Sequence, residues 1–347
     1  MTTALKFLKE ERLYILILIF VLVFNTIILS HGGDKAKAKL PVTARAPTFE
    51  DQEIKKHEME KLLAKNENLS IIFGLVSFLI LAITLLGLAI DIIILPMMLA
   101  GRFDIRCFCP PQAKWNIWDV CKVVILFLFF GYMMILSEAF LSRAFHVFET
   151  DNFRMMVNSS ILDILAVVFI IYFTIIQYKE PLAALGISAR NFLKNVFYGV
   201  IGYIALIPIL ILMLVIIAVI INITKYVPER QSIVELFLKE KRVAFLAYSS
   251  LFAAIIGPII EELFFRGFLY SSLKKYIGIF WAMTATASLF AALHAHIVGF
   301  FPIMALGMLL AYIYEKTGTL VSSVTVHMIH NLSMVFLVFL VKQVGIV

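Results

Sequence analysis

Apolar runs about as long as a bilayer's hydrocarbon core recur along this chain, and they constrain its fold more than any other feature. They read at about Tyr14–Ser30, Leu69–Leu99, Val120–Leu141, Ile161–Ile176, Val196–Ile221, Val243–Ile260, Ile279–Val298, Phe301–Tyr314 and Leu320–Val341, with roughly 20 apolar residues needed for one helical crossing. Ile161–Ile176 and Phe301–Tyr314 are short for a full crossing. The expected fold is therefore all-α, a polytopic transmembrane bundle of eight or nine helices. A composition of 62% hydrophobic and 15% charged residues excludes an ordinary soluble domain.

The net charge of +7 is spread over the loops instead of gathered into a stripe. It therefore points to lipid headgroups and not to nucleic acid. Orientation pulls both ways: Lys6, Lys9 and Arg12 favour a cytoplasmic N-terminus, while Lys35, Lys37, Lys39, Arg45, Lys55, Lys56, Lys61 and Lys65 crowd the loop after the first run. Cys107, Cys109 and Cys121 are too few for a disulfide framework, and Cys107-Phe108-Cys109 has no nearby histidine to complete a zinc site. Spare thiols are the expectation.

Residues 1–30 are expected to be a membrane anchor or a signal segment, because Ser30-His31-Gly32-Gly33 offers small residues for cleavage. Residues 31–68 form a polar extramembrane arm, with a charged helix expected over Phe49–Leu63 from its Glu/Lys spacing. Residues 69–242 hold the N-terminal transmembrane helices and their loops. Asp91 lies inside an apolar run yet within reach of the interface by snorkelling. Trp115 and Trp118 are placed in an interfacial aromatic belt, and Glu138, Arg143 and Arg154 at the edges of spans. The breakers in Lys179–Gly186 separate this half from the C-terminal part of the chain.

One apolar stretch keeps its charges: Gly257-Pro258-Ile259-Ile260-Glu261-Glu262-Leu263-Phe264-Phe265-Arg266-Gly267. Each charge at membrane depth costs about 2.5–3.5 kcal/mol on insertion scales. At about 100° per residue, Glu262 and Arg266 share a helical face and Glu261 points elsewhere. Glu262 is the natural partner of the arginine, which leaves Glu261 suited to taking a proton. The alternative is a buried ion pair that locks two helices and does no chemistry.

Two later runs carry further polar groups. Phe290 and His294 are one turn apart, and His294 is placed to share a water with Glu261 or to serve as a hydrogen-bonded structural residue. His296 is about 200° round the helix from it. After the turn and cap signal Thr317-Gly318-Thr319-Leu320, His327 and Asn331 lie one turn apart, both able to donate to an oxyanion. Asn331 is equally suited to bonding between helices, and His330 is turned off that face.

Glu261-Glu262-x-x-x-Arg266, Phe290-x-x-x-His294 and His327-x-x-x-Asn331, in this order on successive apolar segments, resemble the three motifs of the CPBP family, the CAAX prenyl endoproteases and bacteriocin-processing relatives also called ABI proteins. Gly257-Pro258, Gly267 and Thr317–Leu320 fit as well, and Trp115-Asn116-Ile117-Trp118-Asp119 is similar to the N-terminal part of bacterial members. The resemblance implies a CAAX-endoprotease-like catalytic core over 243–341 and an intramembrane glutamate protease. Glu261 would be the activating base, with His294 orienting the water and His327 and Asn331 forming the oxyanion hole. Glu262 and Arg266 would support them. No cofactor or metal is implied. The implied substrate is a membrane-associated protein or peptide, prenylated in the eukaryotic branch. The implied place is multi-pass in a bacterial plasma membrane, or in the endoplasmic reticulum of a eukaryote. Two other readings stay open on the residues alone: a zinc protease using Glu261, His294 and His327, and a non-catalytic scaffold or immunity protein or proton-coupled transporter.

Overall fold

A computed structural model describes residues 9–37, 57, 59–100, 102, 112–145, 152–226 and 232–344. Cys107, Cys109 and most of the charged helix expected over Phe49–Leu63 lie outside them, although its end is helical from residue 59. In chain order the helices are α1 (Arg12–Lys37), α2 (Glu67–Leu99), α3 (Ile117–Phe145), α4 (Asn152–Ile171), α5 (Phe192–Thr224), α6 (Ser232–Lys239), α7 (Val243–Leu251), α8 (Gly257–Glu262), α9 (Ser271–Leu293), α10 (Phe300–Thr317) and α11 (Leu320–Val344). Wider five-residue hydrogen-bonded turns follow α4 at Tyr172–Gln177, α7 at Phe252–Ile256 and α8 at Leu263–Tyr270. The described residues form no strand. The protein is an all-α membrane bundle.

The apolar runs read from the sequence fall on helical residues, except that Ile279–Val298 outruns its helix after Leu293, and length and apolarity single out six spans among the described residues: Glu67–Ile94, Ile117–Glu138, Met156–Gln177, Phe192–Thr224, Val243–Leu293 and Leu320–Gln343. The first run appears as the shorter Arg12–Ile27. The expected pair Val243–Ile260 and Ile279–Val298 belongs to one apolar stretch, bent at Gly278 where φ is +78° and ψ 171°. Only glycine takes that conformation without strain.

Contacts divide the chain into two units, residues 1–43 with 113–181 and residues 44–112 with 182–347. In the first, Asn116 and Asp119 cap α3 reciprocally. Asn116 Oδ1 accepts from the Trp118 amide at 2.7 Å, and Asp119 Oδ2 accepts from the Asn116 amide at 2.9 Å. Lys122, buried one turn on, pairs with Glu11 at 2.6 Å and Asp119 at 3.6 Å beneath the Tyr14 ring. Trp115 is fully buried beside this box. The ring is thus packed inside the protein.

In the second unit, α2 lies against α5 at Gly87, where an added Cβ would meet Ile204 O and the Pro208 ring. Most of the rest of α2 is exposed, Asp91 being half-buried among apolar neighbours. Tyr203 and Leu206 of α5, Leu306, Leu310 and Ile313 of α10 and Val326 of α11 form a buried core. α10 ends at Gly318, whose left-handed φ of +66° lets its amide return to Tyr314 O. Thr319 then caps α11, accepting from the Val321 amide at 3.3 Å and donating to Ser188 O at 3.1 Å. This turn sets the register of the histidines on α11.

Candidate active site

The α8 helix brings both glutamates into the bundle and separates them. Glu262 is fully buried, while the Glu261 side chain is 40% exposed. Four residues on from Glu262, within the wide turn, Arg266 Nη1 donates to Glu262 Oε1 at 2.6 Å, with only 1% of its side chain exposed. Its Nη2 donates to Gly307 O of α10 at 3.1 Å. Gly307 lets α10 pack closely on α9, since an added Cβ would lie 3.0 Å from Ala287 Cβ. The guanidinium also sits 4.9 Å from the centre of the Phe290 ring, whose face attracts a cation. A buried charge needs such compensation on every side.

His327 on α11 closes the cluster. Its ring is 2% exposed, with Nδ1 3.0 Å from Glu262 Oε1 and Nε2 3.7 Å from Glu261 Oε2. A carboxylate facing Nδ1 accepts, so that nitrogen carries a proton. The order Arg266, Glu262, His327, Glu261 is thus a continuous chain of charge-bearing groups that ends at its one substantially exposed member. Glu261 Oε2 itself is buried, with no hydrogen-bond donor in reach among the described residues.

His294 arrives by another route. At the end of α9 its Nδ1 donates to Phe290 O at 2.7 Å, so Nε2 is left as the acceptor of the neutral ring. Its ring lies 4.6 Å from that of Phe290, which also meets the His327 ring edge-on at 5.5 Å and the Phe265 ring at 5.1 Å. Phe290 is therefore the wall between the two imidazoles, and His294 joins the cluster through it instead of by a hydrogen bond to Glu261. Asn331, one turn beyond His327, donates through Nδ2 to Ala253 O in the wide turn before α8, at 2.8 Å. One of its two amide protons is thereby committed to the backbone.

Two histidines fall elsewhere. The helix ends at Leu293, Ala295 is left-handed at φ +49°, and His296 Nδ1 accepts from the Gly299 amide at 2.9 Å ahead of α10. The 200° helical offset expected for His296 does not apply, because no helix continues there. His330 Nδ1 lies 3.4 Å from Tyr203 Oη on α5. A second buried polar group had no signature in the sequence: Tyr270 and Lys274 both donate to Glu315 Oε2, at 3.0 and 2.9 Å. They stand 45 and 41 positions from Glu315, and no periodicity links them. No group of three His, Cys, Asp or Glu side chains among the described residues is arranged to hold a metal ion.

Residues 243–333 match the family model described as Rce1-like, Type II CAAX prenyl endopeptidase Rce1-like. No curated protein and no solved structure matches the chain.

Proposed function

From a chain whose residues 243–333 match the Rce1-like model of type II CAAX prenyl endopeptidases, we propose a multi-pass membrane hydrolase of membrane-associated substrates that works by a metal-independent glutamate mechanism, with residues 243–341 as the catalytic core. Glu261 takes a proton from a water that His294 Nε2 holds, and the hydroxide attacks the scissile carbonyl. The oxyanion receives hydrogen bonds from Nε2–H of a His327 ring that is protonated on both nitrogens, as an imidazolium between the two carboxylates, and from the remaining amide proton of Asn331. Nδ1–H of His327 stays on Glu262, which is held by Arg266, itself bonded to Gly307 O, so the imidazole keeps its orientation through the step. Glu261 then returns its proton to the leaving amine.

The observation that carries this reading is the placement of His327 between two unlike carboxylates, one sealed and bonded to arginine, the other open and 3.7 Å away. A simple helix lock would have no use for the second. The test compares wild type and Glu261→Gln, reconstituted in liposomes, on an internally quenched CAAX peptide with and without a farnesyl group. Membrane-peptide proteomics of cells carrying either form finds substrates of other sequence. The glutamine variant is expected to lose at least about 100-fold in rate and His294→Ala to fall with it, while the protein stays folded. Equal turnover by Glu261→Gln and wild type would refute the glutamate role. Wild-type activity is expected to survive 1,10-phenanthroline; loss that zinc restores would reinstate the metal reading.

A further inference from the structure

Ala253 O is unusual for a carbonyl in a membrane helix, because it accepts from a side chain on another helix. The cause is five residues away. In the wide turn Phe252–Ile256 the amide of Gly257 donates to Phe252 O, so the hydrogen-bond register is i to i+5. Continued by one residue, that register pairs Ala253 O with residue 258, a proline, which has no N–H. The ordinary helical donor to Ala253 O, the Gly257 amide, is already engaged one carbonyl earlier. An acceptor left open at membrane depth is costly, and a neighbouring helix normally supplies its donor. Asn331 Nδ2 does so here at 2.8 Å, and one turn before it on the same helix is His327.

We propose that Pro258 is a positioning residue for catalysis: by withholding a backbone donor it reserves Ala253 O for Asn331, and so fixes the asparagine amide from a point three residues before the catalytic glutamate. An amide clamped through one proton keeps the other in a set direction, which is what an oxyanion donor needs. Wide turns of this kind are rare in helices and are frequent at functional sites. In this protein the widened register and the proline act together. This inference rests on the role given to Asn331 above, but the clamp itself is measurable without any catalysis.

The experiment has a stability arm and a kinetic arm, both on the full chain in liposomes or nanodiscs. In the first, thermal midpoints are measured for Pro258→Ala, Asn331→Ala and the double variant. An alanine at position 258 brings an N–H that competes for the open carbonyl. Asn331→Ala is therefore expected to lower the midpoint in the wild-type background and to lower it by much less in the Pro258→Ala background. Additive shifts would overturn the proposal. In the second, turnover of the CAAX peptide is expected to show kcat lower by about 10- to 100-fold in Pro258→Ala with KM little changed. Incorporating lactic acid at position 258 keeps the alanine side chain but replaces N–H by an ester oxygen, and it should restore kcat to within about threefold of wild type. If the lactate protein is as slow as the alanine variant, or does not fold, the missing donor is not what matters and the proposal fails. If the stability coupling is present but Asn331→Ala cleaves at the wild-type rate, the clamp stands and the oxyanion role of Asn331 falls, and with it the positioning role of Pro258.

Discussion

Arg266 shows how one side chain can be confined by three different partners: the Glu262 carboxylate, the Gly307 carbonyl and the Phe290 ring. Lysine offers a single point charge and cannot reproduce the planar fork that spans the first two. Removing one member of a buried ion pair typically costs about 3–5 kcal/mol, because the other charge is left uncompensated. Arg266→Ala is therefore expected to lower the thermal midpoint sharply, and Arg266→Lys to recover only part of it, as followed by melting in nanodiscs. A melting curve for Arg266→Lys that overlays wild type would show that the guanidinium geometry is not needed. The Glu262–Arg266 pair was legible in the sequence because the two residues are four apart on a helix, and that spacing is local. The contact of Glu262 with His327 and that of Asn331 with Ala253 O were not. They join residues 65 and 78 positions apart, one through a tertiary packing and the other through a backbone atom that carries no residue identity.

Helices α7 to α9 form one long apolar stretch whose character changes at glycine and proline. Gly278 has open space around its Cα, so an alanine there meets no clash and is opposed only by the backbone, whose φ is +78°. Gly278→Ala is expected to destabilise by about 1–2 kcal/mol from that strain alone, and no change in the melting midpoint would argue against a fixed bend. Ahead of α7, Glu240 bonds the Arg242 guanidinium and the amides of Lys241 and Arg242, which hold its carboxyl down at about 2 against an ordinary 4.5. A depressed carboxylate favours the folded state above its unfolded pKa, and that contribution fades as pH falls through about 4.5 towards 2. Arg242→Gln is expected to move the Glu240 titration upward, as read by carbon-13 NMR of labelled glutamate; an unmoved titration would mean that the backbone amides alone hold it. Helix existence was legible here from apolar run length. The wide turns and the early end of α9 were not, since the first rest on which carbonyl each backbone amide reaches and the second on a left-handed alanine and a histidine that bonds the next turn.

At the scale of the whole molecule, all seven motif residues lie in the unit made of residues 44–112 and 182–347, and the segment matched by the family model falls inside it. The apolar segments were legible in the sequence as run lengths, whereas the bend that joins two of them at Gly278 was not, because it is a backbone conformation at one glycine. Two members of that unit are unusually long. The α2 span Glu67–Ile94 has 28 residues and α5 has 33, or about 42 and 50 Å at about 1.5 Å per residue, whereas a hydrocarbon core is about 30 Å thick. They touch at Gly87, Ile204 and Pro208, so a tilt that buries the excess length of one must carry the other with it. Activity is therefore expected to be higher in vesicles of long-chain than of short-chain phosphatidylcholine, measured at equal peptide density, and a flat response would mean that the excess is absorbed by overhanging ends. Acyl-chain length, a property of the host lipid and not of the peptide, thereby becomes a setting to which this enzyme's rate is tuned.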